Sequence, residues 1–388
     1  MARLKGFVRV VAAIQFFLVV AGHTPYVCLG ATIRIGALFD LSGPNRDTGN
    51  AMLYGANSAV KVWNQSLSKL GHVLELVVAD TGSREGRLLL GAMRLERREK
   101  AMLLIGPTSP HMVKVLVGYA EANEIPLIVV SGKHMLTPSP LEDLKWSYGV
   151  SPGIGHMMKS FYRHLRRSGI KRLGVLIEDT PYFEEDLRWL KAYSTEYRVK
   201  VVSVDGFSPS DTDCISQLQH IRDAGGQLVI YRGSDTFIPR LFNSLKSVPL
   251  AVTFFMDTSL DMGYSKKMSG GRLKVSIQSP LLFSDNVKVL PQKLDIIRLK
   301  NALSSTNIHR RKDVIAAAKA WDSIGLVATA LKNGAYPSKR GLVKVLEGRR
   351  SGRSNIYLRY NGLIGDYTPN RKDHIGLDPE DLFLRSHI

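Results

Sequence analysis

Ile33-Arg34-Ile35-Gly36-Ala37-Leu38-Phe39-Asp40-Leu41-Ser42-Gly43-Pro44 is the stretch on which the fold turns. Residues 33–41 make a short apolar run, and Ser42-Gly43-Pro44 ends it in turn residues. An amphipathic run over residues 48–65 follows, with Met52, Ala56, Ala59, Val60 and Trp63 on one side at helical spacing. A strand followed by a helix is half of a crossover unit. The pairing recurs at 74–79 with 84–97 and at 101–105 with 112–122, and 127–130 then leads into a loop. Repeated βα units predict a parallel sheet covered by helices on both faces.

A second series begins after Ser151-Pro152-Gly153. It reads as a helix over 156–167, then strand 173–177, helix 184–193, strand 201–207, helix 214–224, strand 227–231, helix 237–245 and strand 251–255. The pattern changes near Gln278-Ser279-Pro280. A long helix over 314–331 carries Trp321, Ile324 and Val327 at helical spacing and stops at Asn333-Gly334. Residues 348–366 read as turns and short strands, and 378–388 have too little pattern to place.

The chain has 388 residues, 44% of them hydrophobic and 22% charged, ordinary globular proportions with material for two cores. Gly and Pro are dispersed, which sets aside collagen-like, disordered and solenoid classes. Cys28 and Cys214 alone cannot build a disulfide framework, and no Cys/His spacing resembles a zinc site. The net charge of +19 is spread in short groups such as Arg97-Arg98, Arg166-Arg167 and Arg310-Arg311-Lys312, without heptads or an aromatic RNA-binding signature. It reads as a solvated basic surface, with no nucleic-acid partner.

Arg3, Lys5 and Arg9 precede an apolar run over 10–21 whose one polar residue is Gln15. A basic start and an apolar run shorter than the roughly 20 residues of a membrane span are the grammar of an export signal. Small residues allow cleavage after Gly22, Gly30 or Ala31, and Ala31 is favoured, so residues 1–31 read as a signal peptide of a periplasmic protein. Pro25, Tyr26 and Val27 before Cys28 argue against a lipid-modified cysteine. Removing residues 1–31 lowers the net charge by three, to +16, and leaves Cys214 alone in an oxidising compartment, where burial is expected. No later apolar run reads as a membrane span.

Residues 33 to about 365 resemble the type I periplasmic solute-binding proteins, in the branch of the leucine/isoleucine/valine-binding proteins of ABC importers. The resemblance rests on the opening motif with Gly49, Gly55-Ala56, Ile105-Gly106-Pro107, and Ile125-Pro126-Leu127-Ile128 leading to Ser131. It rests also on Asp179 with Tyr182, Asp211-Thr212-Asp213 before a helix, and Ala320-Trp321-Asp322-Ser323. It implies an α/β fold of two Rossmann-like, doubly wound lobes in a Venus-flytrap arrangement, joined by three crossovers near Ser151, Ser279 and Ile356. Lobe 1 would comprise 32–151 and 280–355, and lobe 2 would comprise 152–279 and 356–388.

Carried over residue by residue, the family's ligand contacts fall on Thr48, Pro110, His111, Ser131, Lys133, Ile154, Tyr182, Ser234 and Ser259. Pro110 stands where a serine usually holds the ligand carboxylate, and Lys133 where a threonine does. Ile154 and Ser259 stand where acids usually meet the ligand's ammonium. Tyr182 matches an aromatic that covers the ligand. A desolvated ammonium without an acceptor costs a few kcal/mol, whereas Lys133, with His111 and His134 nearby, suits an anionic solute. A two-residue shift of alignment would instead restore Asp257 or Asp261 as the acid.

No phosphate loop, HExxH, GxSxG or post-strand GxGxxG occurs, so an enzyme is not expected, nor a cofactor or metal. The expected protein is a monomer that captures an amino acid or small carboxylate and delivers it to the membrane permease of an ABC importer. A ligand-sensing module for a membrane receptor, or a degenerate relative without transport, is the alternative.

Overall fold

A computed structural model describes residues 30–132, 144–180, 183–234, 236–248, 250, 252–256, 274–284, 286–348 and 358–387. The opening motif becomes β1 (Ala31–Phe39) and α1 (Arg46–Leu67). The sequence then forms β2 (His72–Asp80), α2 (Glu85–Arg97), β3 (Leu103–Gly106), α3 (Val113–Ala122), β4 (Leu127–Val129) and β5 (Ser147–Gly149). These strands make one parallel sheet in the order β2-β1-β3-β4-β5. Central strand β1 pairs on both sides, and Ile33, Ile35, Ala37, Leu38 and Phe39 are wholly buried.

The second series forms α4 (Ile154–Arg167), β6 (Arg172–Glu178), α5 (Phe183–Tyr197), β7 (Lys200–Phe207), α6 (Ile215–Asp223), β8 (Leu228–Arg232), α7 (Ile238–Ser247), β9 (Thr253–Met256) and β10 (Lys274–Ser279). Its sheet repeats the same order, β7-β6-β8-β9-β10, again parallel. The chain then returns to the first lobe with α8 (Lys293–Ser304), α9 (Arg311–Lys332) and α10 (Lys339–Leu346). The ribbon of β11 (Tyr360–Asn361) and β12 (Asp366–Tyr367) follows. Finally β13 (Phe383–His387) adds antiparallel to the edge of β10. Two doubly wound α/β lobes are therefore present.

Four elements have no counterpart in the sequence reading: β5, β10, α8 and α10. The unplaced tail ends as β13. Residues 356–388 were expected in lobe 2, yet Leu358, Tyr360, Leu363, Ile364, Tyr367, Ile375, Leu377 and Leu382 bury their side chains in the first lobe's core. Residues 360–367 of that tail are held by Asp322 of α9, whereas Asp373, Glu380 and Leu382 O bond to His156, Arg163 and Ser160 of α4 in the second lobe before β13 joins the second sheet. The crossover expected at Ile356 lies outside the described residues. Helix α9 is, among the described residues, the one helix long and apolar enough to cross a membrane, contrary to the expectation of no such run. Its apolar length is spent inside lobe 1, where 83% of that stretch is buried.

Close helix packing explains two motif glycines. A Cβ on Gly55 would sit 2.1 Å from the Ala317 carbonyl of α9, and one on Gly49 would sit 1.9 Å from the Asp40 carbonyl. Neither distance leaves room for a side chain. Cys214 is fully buried, as expected, and burial pushes its thiol up to about 11, which keeps it unreactive.

The lobes meet at a hinge organised by Asp322 of α9, a fully buried carboxyl. Leu363 N donates to its Oδ1 at 2.7 Å and Ile364 N to its Oδ2 at 2.9 Å. The Tyr360 hydroxyl lies 3.1 Å from Oδ1 and the Tyr367 hydroxyl 3.3 Å from Oδ2. Tyr367 also donates to Val150 O, on the first crossover, at 2.8 Å. The second crossover pairs with the same segment, Leu281 N to Ile364 O and Leu282 N to Leu363 O. Burial raises Asp322 from 3.8 to about 7 against the pull of the four donors. The acid's proton has a place to go, because Tyr367 already donates to Val150 O and can accept from Oδ2.

Asp322→Ala strands two buried N–H groups and should lower unfolding stability by about 3 kcal/mol in urea titration. A folded-state value above the unfolded one gives stability that is present below about pH 4 and lost as pH rises through about 7. Asp322→Asn should flatten that slope, and an unchanged slope would remove Asp322 as its source.

Candidate functional site

Strand β5 ends at Gly149 and the chain reaches α4 at Ile154; β10 ends at Ser279 and the chain is in the lobe 1 core by Leu282. Both sheets therefore present their carboxyl-terminal ends to the hinge. The strand-end loops of the two lobes define a crevice, the usual ligand position in open α/β sheets.

On the lobe 1 side the organiser is Asp40, immediately after β1 and wholly buried. Its Oδ1 accepts from Thr81 Oγ1 in a short contact and from Ser83 N at 2.9 Å. Its Oδ2 accepts from Ser83 Oγ at 2.7 Å and Ser109 Oγ at 2.5 Å. Its own N–H donates to Thr108 Oγ1 at 3.0 Å, and Asn45 Nδ2 donates to Ser109 Oγ at 2.8 Å. Loops after β1, β2 and β3 are thus tied to one carboxylate. Asp80 adds a second tie by accepting from Leu41 N, Ser42 N and Ser42 Oγ at 2.9, 3.1 and 2.6 Å. Burial acts to raise the Asp80 pKa, but the Ser42 hydroxyl and the Leu41, Gly82 and Ser42 N–H groups hold it below the usual range. The chemical consequence is that the hydroxyls of Thr81, Ser83 and Ser109 give their protons inward and are not free to donate to a ligand.

Of the sequence-predicted residues, Pro110 and His111 are exposed on the short 3-10 turn Pro110–Met112 that follows Ser109. Ser131 is buried beyond β4, and its Oγ donates to Pro107 O at 2.6 Å. Thr48 lies in the first turn of α1, where its Oγ1 donates to Asp313 Oδ1 of α9 at 2.6 Å, tying two helices. Ile154 does not face the crevice. It is fully buried in the second lobe's core with Met158, Phe161 and Tyr162, so a missing acid at that position says nothing about the ligand. Ser234 is half-buried beyond β8, with its N–H on Glu178 Oε2 at 2.5 Å. Lys133, His134, Tyr182, Asp257, Ser259 and Asp261 lie outside the described residues.

Residues that the sequence reading missed on the lobe 2 side are Glu178, at the end of β6, and Arg232, at the end of β8; both are buried. Arg232 donates to both oxygens of Asp186, at 3.0 and 3.3 Å, a buried two-pronged pair with α5. The signal for Asp40 was visible as an acid closing an apolar strand. That for Arg232 was an isolated cation after Leu228-Val229-Ile230-Tyr231. Among the described residues no group of His, Cys, Asp or Glu gathers that could hold a metal.

Asp40→Ala leaves three hydroxyls and a backbone N–H without their acceptor. It should cost about 3 kcal/mol in chemical denaturation and speed hydrogen exchange in residues 40–45, 80–84 and 107–112. Unchanged exchange in the last two segments would mean the loops hold their places without it.

Comparison with known proteins gives the frame for this geometry. None of the curated proteins compared matches the chain. An extracellular ligand-binding receptor from Rhodopseudomonas palustris HaA2 superposes with a TM-score of 0.67 at 17% identity, covering 92% of this chain and 98% of that one. A type 1 periplasmic binding protein from Bordetella pertussis gives 0.69 at 14%, covering 92% and 96%. The branched-chain amino acid transporter substrate-binding protein LivJ of Streptococcus pneumoniae, solved with isoleucine, gives 0.63 at 18%, covering 87% and 92%. At these identities the likeness is one of fold. The sequence profile of the periplasmic binding proteins matches residues 32–374. With that match over nearly the whole described chain, the protein belongs to the periplasmic binding protein family.

Proposed function

We propose that this chain is an exported solute-binding protein that captures an amino acid or small carboxylate in the crevice between its lobes and delivers it to the permease of an ABC importer. The observation that carries the reading is the pair of sheets with the same strand order, both turning their carboxyl-terminal ends toward one hinge. A solute that touches both lobes stabilises the closed arrangement over the open one, and that difference is what a permease can read. The branched-chain amino acid proteins among its structural relatives support an organic solute of this size. Binding fits strand-end serines whose hydroxyls are turned inward, bonded to the buried Asp40 or to a carbonyl. Residues 1–31 act as a cleaved signal in this reading, and Lys133, Tyr182 and Ser234 contact the solute. Glu178 offers the acceptor that an ammonium would need.

Native mass spectrometry of protein from a periplasmic extract should show a mature chain with a bound small molecule. A thermal-shift panel of leucine, 4-methylpentanoate and benzoate should stabilise it, since a ligand at a hundred times its Kd adds about 2.7 kcal/mol. Tyr182→Ala should weaken the responding solute by about 1–3 kcal/mol in calorimetry. Absence of any bound or stabilising solute, with the fold intact, would leave a member that has lost binding.

A further inference from the structure

Lys319 lies on α9 between Asp313, at the helix start, and the hinge residue Asp322. Its Nζ donates to Ser151 Oγ at 2.8 Å. Ser151 is buried and stands two residues past β5, on the first crossover. Helices α1 and α9 are tied at their first turns by Thr48 and Asp313, and α1 begins at the carboxyl-terminal end of β1. The first turns of α1 and α9 are therefore on the crevice side of lobe 1, and Lys319, farther along α9, holds its ammonium against the first crossover at the hinge.

The ammonium has three donors, and one is spent on Ser151. Among the described residues no carboxylate pairs with it, and burial alone pushes it down to about 8. A cation withdrawn from water without a counter-charge is unfavourable unless something supplies one. The neutral hydroxyls of the same lobe cannot serve an anion in its place, because Thr81, Ser83 and Ser109 give their protons to Asp40.

We infer that Lys319, with the Ser151 hydroxyl beside it, is the seat for the anionic group of the solute, so that the crevice selects small carboxylates and holds them with the charged end toward the hinge. This rests on the reading of the crevice as the solute site. It names a residue on α9 that no strand-end loop supplies. Binding there also joins the carboxylate to the first crossover, the segment that must turn when the lobes close.

The test compares 4-methylpentanoate and benzoate with their uncharged amides and with leucine, in wild type, Lys319→Met and Lys319→Arg. In wild type the carboxylates bind and the amides bind at least tenfold more weakly. In Lys319→Met the carboxylate affinity falls ten- to a hundredfold while the amides are unchanged, and Lys319→Arg recovers part of the loss. The unliganded Lys319→Met protein should be as stable as wild type or more so, because it loses a half-buried charge without a carboxylate partner among the described residues, whereas a lysine needed for folding would give a lower melting temperature. Carboxylate binding should also protect Lys319 from acetylation, read by peptide mass spectrometry. Carboxylates that bind wild type and Lys319→Met equally would overturn this assignment and leave the binding function standing. A response to leucine alone, untouched by Lys319→Met, would overturn it too. No response to any of the five compounds would count against both the seat and the crevice as a solute site.

Discussion

Four hydrogen-bonding groups converge on one buried carboxyl, Asp322, and the connection between the lobes depends on it. Two are backbone N–H groups of the returning segment, and two are tyrosine hydroxyls, one of which also reaches the first crossover. The second crossover hydrogen-bonds to that same segment. The first two crossovers and the returning segment are thereby referred to a single helix, α9, which also packs closely on α1 inside lobe 1. A hinge built this way can turn within its crossovers while its anchor stays fixed. The acid's raised pKa places a proton exchange at the anchor near neutral pH.

Within lobe 1 the strand-end loops are held by a second buried carboxylate, Asp40. Its cost of burial is offset by four donated hydrogen bonds, and those bonds occupy the hydroxyls that would otherwise line the crevice. A rigid wall with few spare donors is the result. Specificity then falls to groups outside the cluster. Glu178 and the Arg232–Asp186 pair stand on the opposite lobe, and Lys319 against the first crossover.

The doubly wound architecture was legible because the opening motif and the βα alternation are local signals. Strand β1 and helices α1 and α9 appear within a few residues of their expected bounds. What stayed hidden depends on distant partners. β5 and β10 are edge or near-edge strands without a helical neighbour pattern, and β13 becomes a strand only by pairing with β10 from a hundred residues away. The tail was assigned to lobe 2 because its hold on Asp322 cannot be read from spacing. Ile154 was expected in the crevice because it directly follows a crossover, yet the first turn of α4 points it into the core. Asp40 and Lys319 were visible as charges in apolar surroundings, but their roles depend on which loops meet them.

Closure of two lobes around a solute is the central claim, and the distance between the lobes tests it most directly. Spin labels at Leu90→Cys on α2 and Lys191→Cys on α5, both exposed positions, report that distance without interference from the buried Cys214. With 4-methylpentanoate added, double electron–electron resonance should show the distance distribution narrowing and moving to a new, single value. An identical distribution at a concentration of solute that raises the melting temperature would show binding without closure and would contradict the account.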